Sequence, residues 1–169
     1  MGIAMAKEII TQHRVRELFD YLDGHLIWKE NRGNNKVKGQ KAGAKNNFGY
    51  IVIAINHAPY KAHRLIYLYH HGEYVGDIDH INGIKNDNRI ENLRIATNSQ
   101  NQWNRKKQKN NKSGCKNVSY CKNAKRWRVQ FYINKKPTTF GYYKDIDYAI
   151  FVANALRPKF YGEFGTNLG

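Results

Sequence analysis

The sequence is poor in cysteine, proline, methionine and acid. Its 169 residues hold 2 Cys, 3 Pro and 2 Met, and only 13 Asp and Glu against 29 Lys and Arg. Two cysteines, Cys115 and Cys121 in the run CKNVSYC, exclude a disulfide-stapled scaffold, and no second pair stands at zinc-ligand spacing. Two reduced thiols in a cytosolic protein are the expectation. No apolar run reaches the length of a membrane span. Met1 to Lys7 lacks the apolar segment of a secretory leader, and position 6 is Ala, where a myristoylation signal carries Ser or Thr. The expected setting is therefore cytoplasmic, with no membrane partner. The formal net charge of +16 and a pI of about 9.9 point to a polyanionic partner. Apolar residues make up 41%, enough for small cores but not for one large one.

The shortage of acid is uneven. From Asn92 to Lys144 there is no Asp or Glu, while Arg94, Arg105, Lys106, Lys107, Lys112, Lys116, Arg126 and Arg128 all fall inside that window. A solvated face normally mixes signs, so a one-sign run this long calls for an anion. The stretch RKKQKNNKS at 105–113 has no apolar residue and reads as a basic linker over 106–113. Such a linker suits a phosphate backbone, and its contacts would weaken in salt.

Taken in order, KEIITQHRVRELFDYL at 7–22 places Ile10, Val15, Leu18, Phe19 and Leu22 near helical spacing, and Asp23-Gly24 ends the run. His25 to Trp28 reads as a strand, 31–49 as loops rich in Asn, Lys and Gly, Tyr50 to Ile55 as a strand, and Asn56 to Pro59 as a turn. A helix is predicted from Ala62 to His71, stopped by Gly72. Within it His63 reads as a packed core residue. Arg64 suits either a phosphate or a loop carboxylate. Further on, RWRVQFYI at 126–133 alternates strictly, with Trp127, Val129, Phe131 and Ile133 on one face and Arg126, Arg128, Gln130 and Tyr132 on the other. Asn134 to Pro137 reads as a turn, Thr138 to Tyr142 as the returning strand, and Asn117 to Tyr120 as a third. Asp145 is a plausible cap for a helix from Ile146 to about Tyr161, with Pro158 expected to kink or end it. The stripe Ile146, Ala149, Ile150, Ala153, Leu156 and Phe160 would cover the Trp127 face and leave the arginine face open, with donors that suit base edges.

The chemistry concentrates in DIDHINGIKNDNRIENLRIATNSQNQWNR, 77–105. Asp79 and His80 precede a turn-rich run that contains Asn82-Gly83. Leu93 to Ala96 alternates like a short strand, and Thr97 with Gln100 forms a capping box for a helix. His80 is the side chain of this stretch that exchanges a proton near neutral pH. Asp79 offers the hard oxygens that Mg2+ and Mn2+ prefer. Asn101 and Asn104 share one helix face, and either could add a carbonyl oxygen. Asn92 closes the loop and can hold its backbone. By residue type alone the stretch reads rather as a polar Asn-rich hairpin with a surface histidine.

Asp79-His80 followed by Asn92 and Asn101, with His63-Arg64-Leu65 upstream and the words DHINGIKNDNRIENLRIAT, resembles the HNH nuclease motif, the ββα-metal fold, in its phage and intron-encoded homing branch. The resemblance implies that His80 is the general base, Asn92 orients its loop, and Asp79 and Asn101 hold one Mg2+ or Mn2+, with Asn104 the alternative to Asn101. It implies cleavage to a 5′ phosphate and a 3′ hydroxyl. Trp127-Arg128, Phe140 to Tyr143, the alanine-bearing helix and Tyr161 to Phe164 resemble the Apetala/ethylene-response-factor type of DNA-binding domain fused to such nucleases, whose sheet enters the major groove. Asn117, where that family has Gly, and Pro158 depart from its pattern.

The expected fold is α+β: a ββα-metal core, then a small three-stranded antiparallel sheet packed on one helix. The expected boundaries are 1–60 for a supporting segment, 61–105 for the nuclease core, 106–113 for the linker and 114–169 for the DNA reader. The expected partner is double-stranded DNA, with no small-molecule cofactor, bound by a monomer through Arg64, Arg89, Arg105, Lys106, Lys107, Arg126, Arg128 and Gln130. One active site favours nicking. The setting is a bacterial host if the chain is phage-encoded. The alternatives are a sequence-specific DNA-binding protein with an inactive HNH module, and a low-specificity phage nuclease.

Overall fold

The computed structural model describes residues 10–31, 33, 37–73, 76–105, 107 and 110–165. They fall into two compact units, one ending at Thr97 and the other beginning at Asn98. That boundary lies inside the 61–105 stretch expected to be one core.

In the first unit α1 covers Gln12–Leu18 and is capped by the Thr11 hydroxyl, which accepts from the Arg14 amide at 3.2 Å. The helix expected over 7–22 thus begins later (7–9 lie outside the described residues) and ends at Leu18. Phe19–Leu22 is instead strand β1, paired antiparallel with β2, His25–Trp28, through a turn in which Asp23 and Gly24 have φ 41° and 77°. Apolar residues at 18, 19 and 22 fit a helix face. The pairing wins because it buries Phe19 against Trp28, ring centroids 4.4 Å apart, and leaves Leu22 63% exposed.

A three-stranded sheet follows in the order β3 (Ala44–Lys45), β4 (Ile51–Ile55), β5 (Ala58–Lys61). The turn between β4 and β5 is two residues, Asn56 and His57, both at positive φ, as the tightest hairpins require. Ala58 and Pro59, expected in that turn, are already paired with Ile55 and Ala54. Proline is tolerated because β5 is an edge strand. Helix α2, Ala62–His71, ends at Gly72 with φ 78°, as the sequence predicts. Then come β6, Asp77–His80, and β7, Leu93–Ala96, paired antiparallel with a short 3-10 turn, Ile90–Asn92, before β7. Val15, Phe19, Leu26, Ile53, Leu65 and Ile66 are the core, each at most 1% exposed.

In the second unit α3, Asn98–Asn104, precedes a three-stranded antiparallel sheet of order β10 (Lys136–Tyr143), β9 (Arg126–Ile133), β8 (Val118–Cys121). Strand β9 has the predicted limits. The β9–β10 turn is Asn134-Lys135, with φ 50° and 63°, so β10 starts at Lys136, ahead of the expected Thr138. Asn117 takes φ 68°, the left-handed geometry that glycine would supply and that Asn tolerates. Helix α4, Ile146–Tyr161, is capped by Asp145, whose carboxylate accepts from the Tyr148 amide at 2.7 Å. Pro158 does not end it, and the helix runs to Tyr161 as expected. Arg157 and Tyr161 are buried on the same final turns, and packing holds the helix through the missing amide. Ala149 and Ala153 pack on Val129 and Phe131, with Trp127 at the margin of that cluster. Phe131 is fully buried against the Phe140, Phe160 and Tyr161 rings. Among the described residues, no helix is long and apolar enough to cross a membrane.

Phe131→Ala should cost about 3–5 kcal/mol, because the surrounding rings cannot collapse into the space. Denaturant titration of the full chain followed by hydrogen exchange should locate that loss in β8–β10. Undiminished protection there would contradict this packing.

Candidate active site and nucleic-acid interface

Burial alternates along β6. Ile78 and His80 are buried, whereas Asp77 and Asp79 are half-buried. The register sets Asp79 opposite Arg94, and the guanidinium donates to Asp79 Oδ2 from Nε and Nη2, both at 3.2 Å. Asp77 pairs with Arg64 at 2.5 Å. Arg64, open in sequence between a phosphate and a carboxylate, is thus held by a carboxylate.

His80 is 5% exposed, and its Nε2 lies 2.9 Å from Asn88 Oδ1. An amide oxygen there accepts from Nε2–H, so the proton sits on Nε2 and Nδ1 is the basic nitrogen. Burial lowers the pKa of His80, and the Asn88 bond and the carboxylates Asp79 and Asp87 oppose this. Its ring meets that of His63 edge-on, centroids 4.8 Å apart, with Tyr50 5.4 Å from His63. His63 is 3% exposed, as its core reading requires, and its Nδ1 has no hydrogen-bond partner among the described residues. Burial, then repulsion from His80, Lys61 and Arg64, takes its pKa down to about 3. Lys61 and Lys85 place their ammonium groups 4.5 and 4.9 Å from the Tyr50 ring centroid.

The loop between the strands is closed by one carboxamide. Asn92 Nδ2 donates to the Asp87 carbonyl at 2.7 Å and to Asn82 Oδ1 at 3.1 Å, and Asn92 Oδ1 accepts from the Asn82 amide at 3.0 Å. The Ile81 amide donates to the Asn92 carbonyl at 2.9 Å. Asp87 accepts a forked pair of bonds from Arg89, 2.9 and 2.8 Å, and this guanidinium holds the Asp87 carboxyl well below the usual range. The N-terminal hairpin braces this loop. The Tyr21 hydroxyl accepts from the Ile90 amide at 3.1 Å, and a Cβ on Gly24 would stand 2.8 Å from the Arg89 nitrogen.

In the second unit Asn101 lies on α3 with its Oδ1 buried and without a hydrogen-bond partner among the described residues. Asn104, the alternative, is 2% exposed. Arg126, Arg128 and Gln130 share the sheet face away from α4. Arg128 donates to Ser119 Oγ and Gln130 to Thr139 Oγ1, both at 3.4 Å. The Arg128 Nε is a buried donor without a partner among the described residues. Arg105 and Lys107 are exposed, and Lys106 lies outside the described residues. Asn111 and Ser113, expected in the linker, are knotted to the second unit: Ser113 Oγ bonds Asn111 Oδ1 and the Val118 carbonyl, each at 2.7 Å.

Residues 60–103 match the family model of the HNH endonuclease. Asp79, His80, Asn92 and Asn101 fall within the match, and Asn104 lies just beyond it. No curated protein and no solved structure matches the chain. The match supports an HNH nuclease acting on DNA. Sequence reasoning missed Asn88, one of several asparagines in an Asn-rich run with nothing to single it out. It also missed Tyr50, Lys61 and Lys85, whose grouping with His80 depends on the sheet.

His63 should make stability depend on pH. Its folded pKa is depressed below that of a free histidine, so between about pH 6.5 and 3 the unfolded chain binds more protons. The contribution is fully present above pH 6.5 and is lost as pH falls, at no more than about 1.4 kcal/mol per pH unit for one group. Thermal melts at pH 7 and pH 5 should show a clear loss in the wild type and a smaller one in His63→Phe. Equal losses would assign the dependence elsewhere.

Proposed function

We propose that the chain is a site-specific DNA endonuclease of the homing type that nicks duplex DNA as a monomer. The observation that carries this reading is the buried His80 ring, fixed by Asn88 within an Asn92-closed loop inside the matched HNH segment. His80 Nδ1 takes a proton from water, and the resulting hydroxide attacks a DNA phosphorus. Asn92 holds the loop, and hence the ring, in position. Cleavage leaves a 5′ phosphate and a 3′ hydroxyl.

Asp79 in the first unit and Asn101 in the second are each oxygen donors of the kind that a hard divalent ion takes. Asp79 supplies a carboxylate and Asn101 a buried amide oxygen without a partner among the described residues, whereas no cluster of three His, Cys, Asp or Glu side chains suited to a metal occurs among those residues. Asp79 and Asn101 would hold Mg2+ or Mn2+, which would supply charge neutralisation at the phosphate and the departing 3′ oxygen. Asp79 Oδ2 accepts from Arg94, so the ion would share this carboxylate with the guanidinium. That ion pair favours the second reading, a DNA-binding protein that does not cut.

Site choice is assigned to the face of Arg126, Arg128 and Gln130, whose donors suit guanine and adenine edges in a major groove. Arg105, Lys106 and Lys107 are assigned to phosphates. Arg64 and Arg89, held by Asp77 and Asp87, reach phosphate only by sharing their guanidinium groups with those carboxylates.

A supercoiled plasmid carrying the target locus should give open-circle product with Mg2+ or Mn2+ and none with EDTA. His80→Ala should lower the rate about 10²–10⁴-fold while duplex affinity stays within about twofold. Full cleavage by that variant removes His80 as the base. Tight binding by the wild type without any product favours the second reading.

A further inference from the structure

The second unit carries a feature that neither the catalytic assignment nor the sheet face uses. An open groove of about 1320 Å³ runs beside the free edge of β8, bordered by α3, residues 110–113 and the end of α4. Among the described residues no Asp or Glu lines it, whereas Arg105, Lys107, Lys112, Lys116, Lys122 and Lys135 do. Trp103, stacked on Tyr161 at 4.6 Å and 9° between planes, contributes to its wall.

A basic surface can be merely solvated, but two groups here are not at the surface. Arg157 is 3% exposed and donates only to neutral acceptors: Asn154 Oδ1 at 2.7 Å, the Lys116 carbonyl at 3.0 Å, Asn117 Oδ1 and Cys115 Sγ, both at 3.4 Å. No carboxylate pairs with it among the described residues. A buried cation without a counter-ion is costly, and the fold supplies only dipoles to offset that. Lys116 is half-buried beside it, its Nζ donating to the Trp103 carbonyl at 2.9 Å. Burial, and then the Arg157 charge, lowers its pKa to about 8. The buried Arg157 cation, crowded by Lys116, is relieved by an anion entering from the open side.

We infer that this groove binds the phosphate backbone of duplex DNA, Lys116 and Arg157 forming its positive floor and Lys122 and Lys135 its rim. The groove borders the edge of the sheet whose arginine face is assigned to bases, so a strand flanking the occupied major groove is its natural occupant. It contributes affinity without sequence preference, because phosphates carry none. The inference rests on the reading that the chain acts on DNA.

The test is fluorescence anisotropy of the full chain in EDTA, so that no cleavage occurs, on two duplexes of unrelated sequence over a range of salt. Lys122→Gln/Lys135→Gln changes exposed side chains only and should fold as the wild type. It should lose about tenfold in affinity on both duplexes and flatten the plot of log affinity against log salt by about 0.9 per phosphate contact removed. Lys116→Met should act in the same direction. A double variant with the wild-type affinity and salt slope overturns the groove, as does a loss confined to single-stranded RNA. A wild type that binds neither duplex overturns the DNA reading itself, a distinct outcome.

Discussion

The Asn92 carboxamide joins both ends of the loop between β6 and β7, and the geometry around His80 depends on that closure. With one side chain it satisfies a carbonyl at residue 87 and both a backbone and a side-chain group at residue 82. Closure fixes Asn88, and Asn88 fixes the tautomer of His80. A histidine buried without such an acceptor would leave a donor unsatisfied, at a cost of about 1–3 kcal/mol. The N-terminal hairpin belongs to the same construction, because the Tyr21 hydroxyl and the close approach at Gly24 press on the loop from outside.

The two units handle charge in opposite ways. In the first, three arginines near the candidate site are each matched with a carboxylate: Arg64 with Asp77, Arg89 with Asp87, Arg94 with Asp79. In the second, Arg128 and Arg157 donate to neutral acceptors among the described residues. Matched cations serve geometry, and unmatched ones leave a field that attracts a polyanion. The absence of acid between Asn92 and Lys144 is the sequence record of that second arrangement.

Much of the fold was legible because local signals agreed. Helix α2 ends at its glycine, α4 starts after its aspartate cap, and β7 and β9 occupy their alternating runs. Phe19–Leu22 was not legible as a strand, since its partner, not its own spacing, decides its state. Pro158 does not end α4, because packing of Arg157 and Tyr161 outweighs the local cost. Of the candidate site, Asp79, His80 and Asn92 stood out by spacing and lie on one strand–loop–strand unit. His63, by contrast, was read correctly as buried, but its ring contact with His80 joins residues far apart in sequence and could not be read from either alone.

Asn82 precedes Gly83, the pairing most prone to spontaneous loss of ammonia, because an unhindered glycine nitrogen can attack the carboxamide carbon. In the folded loop that nitrogen donates to the His80 carbonyl at 2.9 Å, and the Asn82 side chain is held through both its oxygen and its nitrogen. The same bonds that shape the site therefore slow its chemical ageing. A chain that stays unfolded ages fastest at this position, and the carboxylate so formed would face Asp87 with like charge.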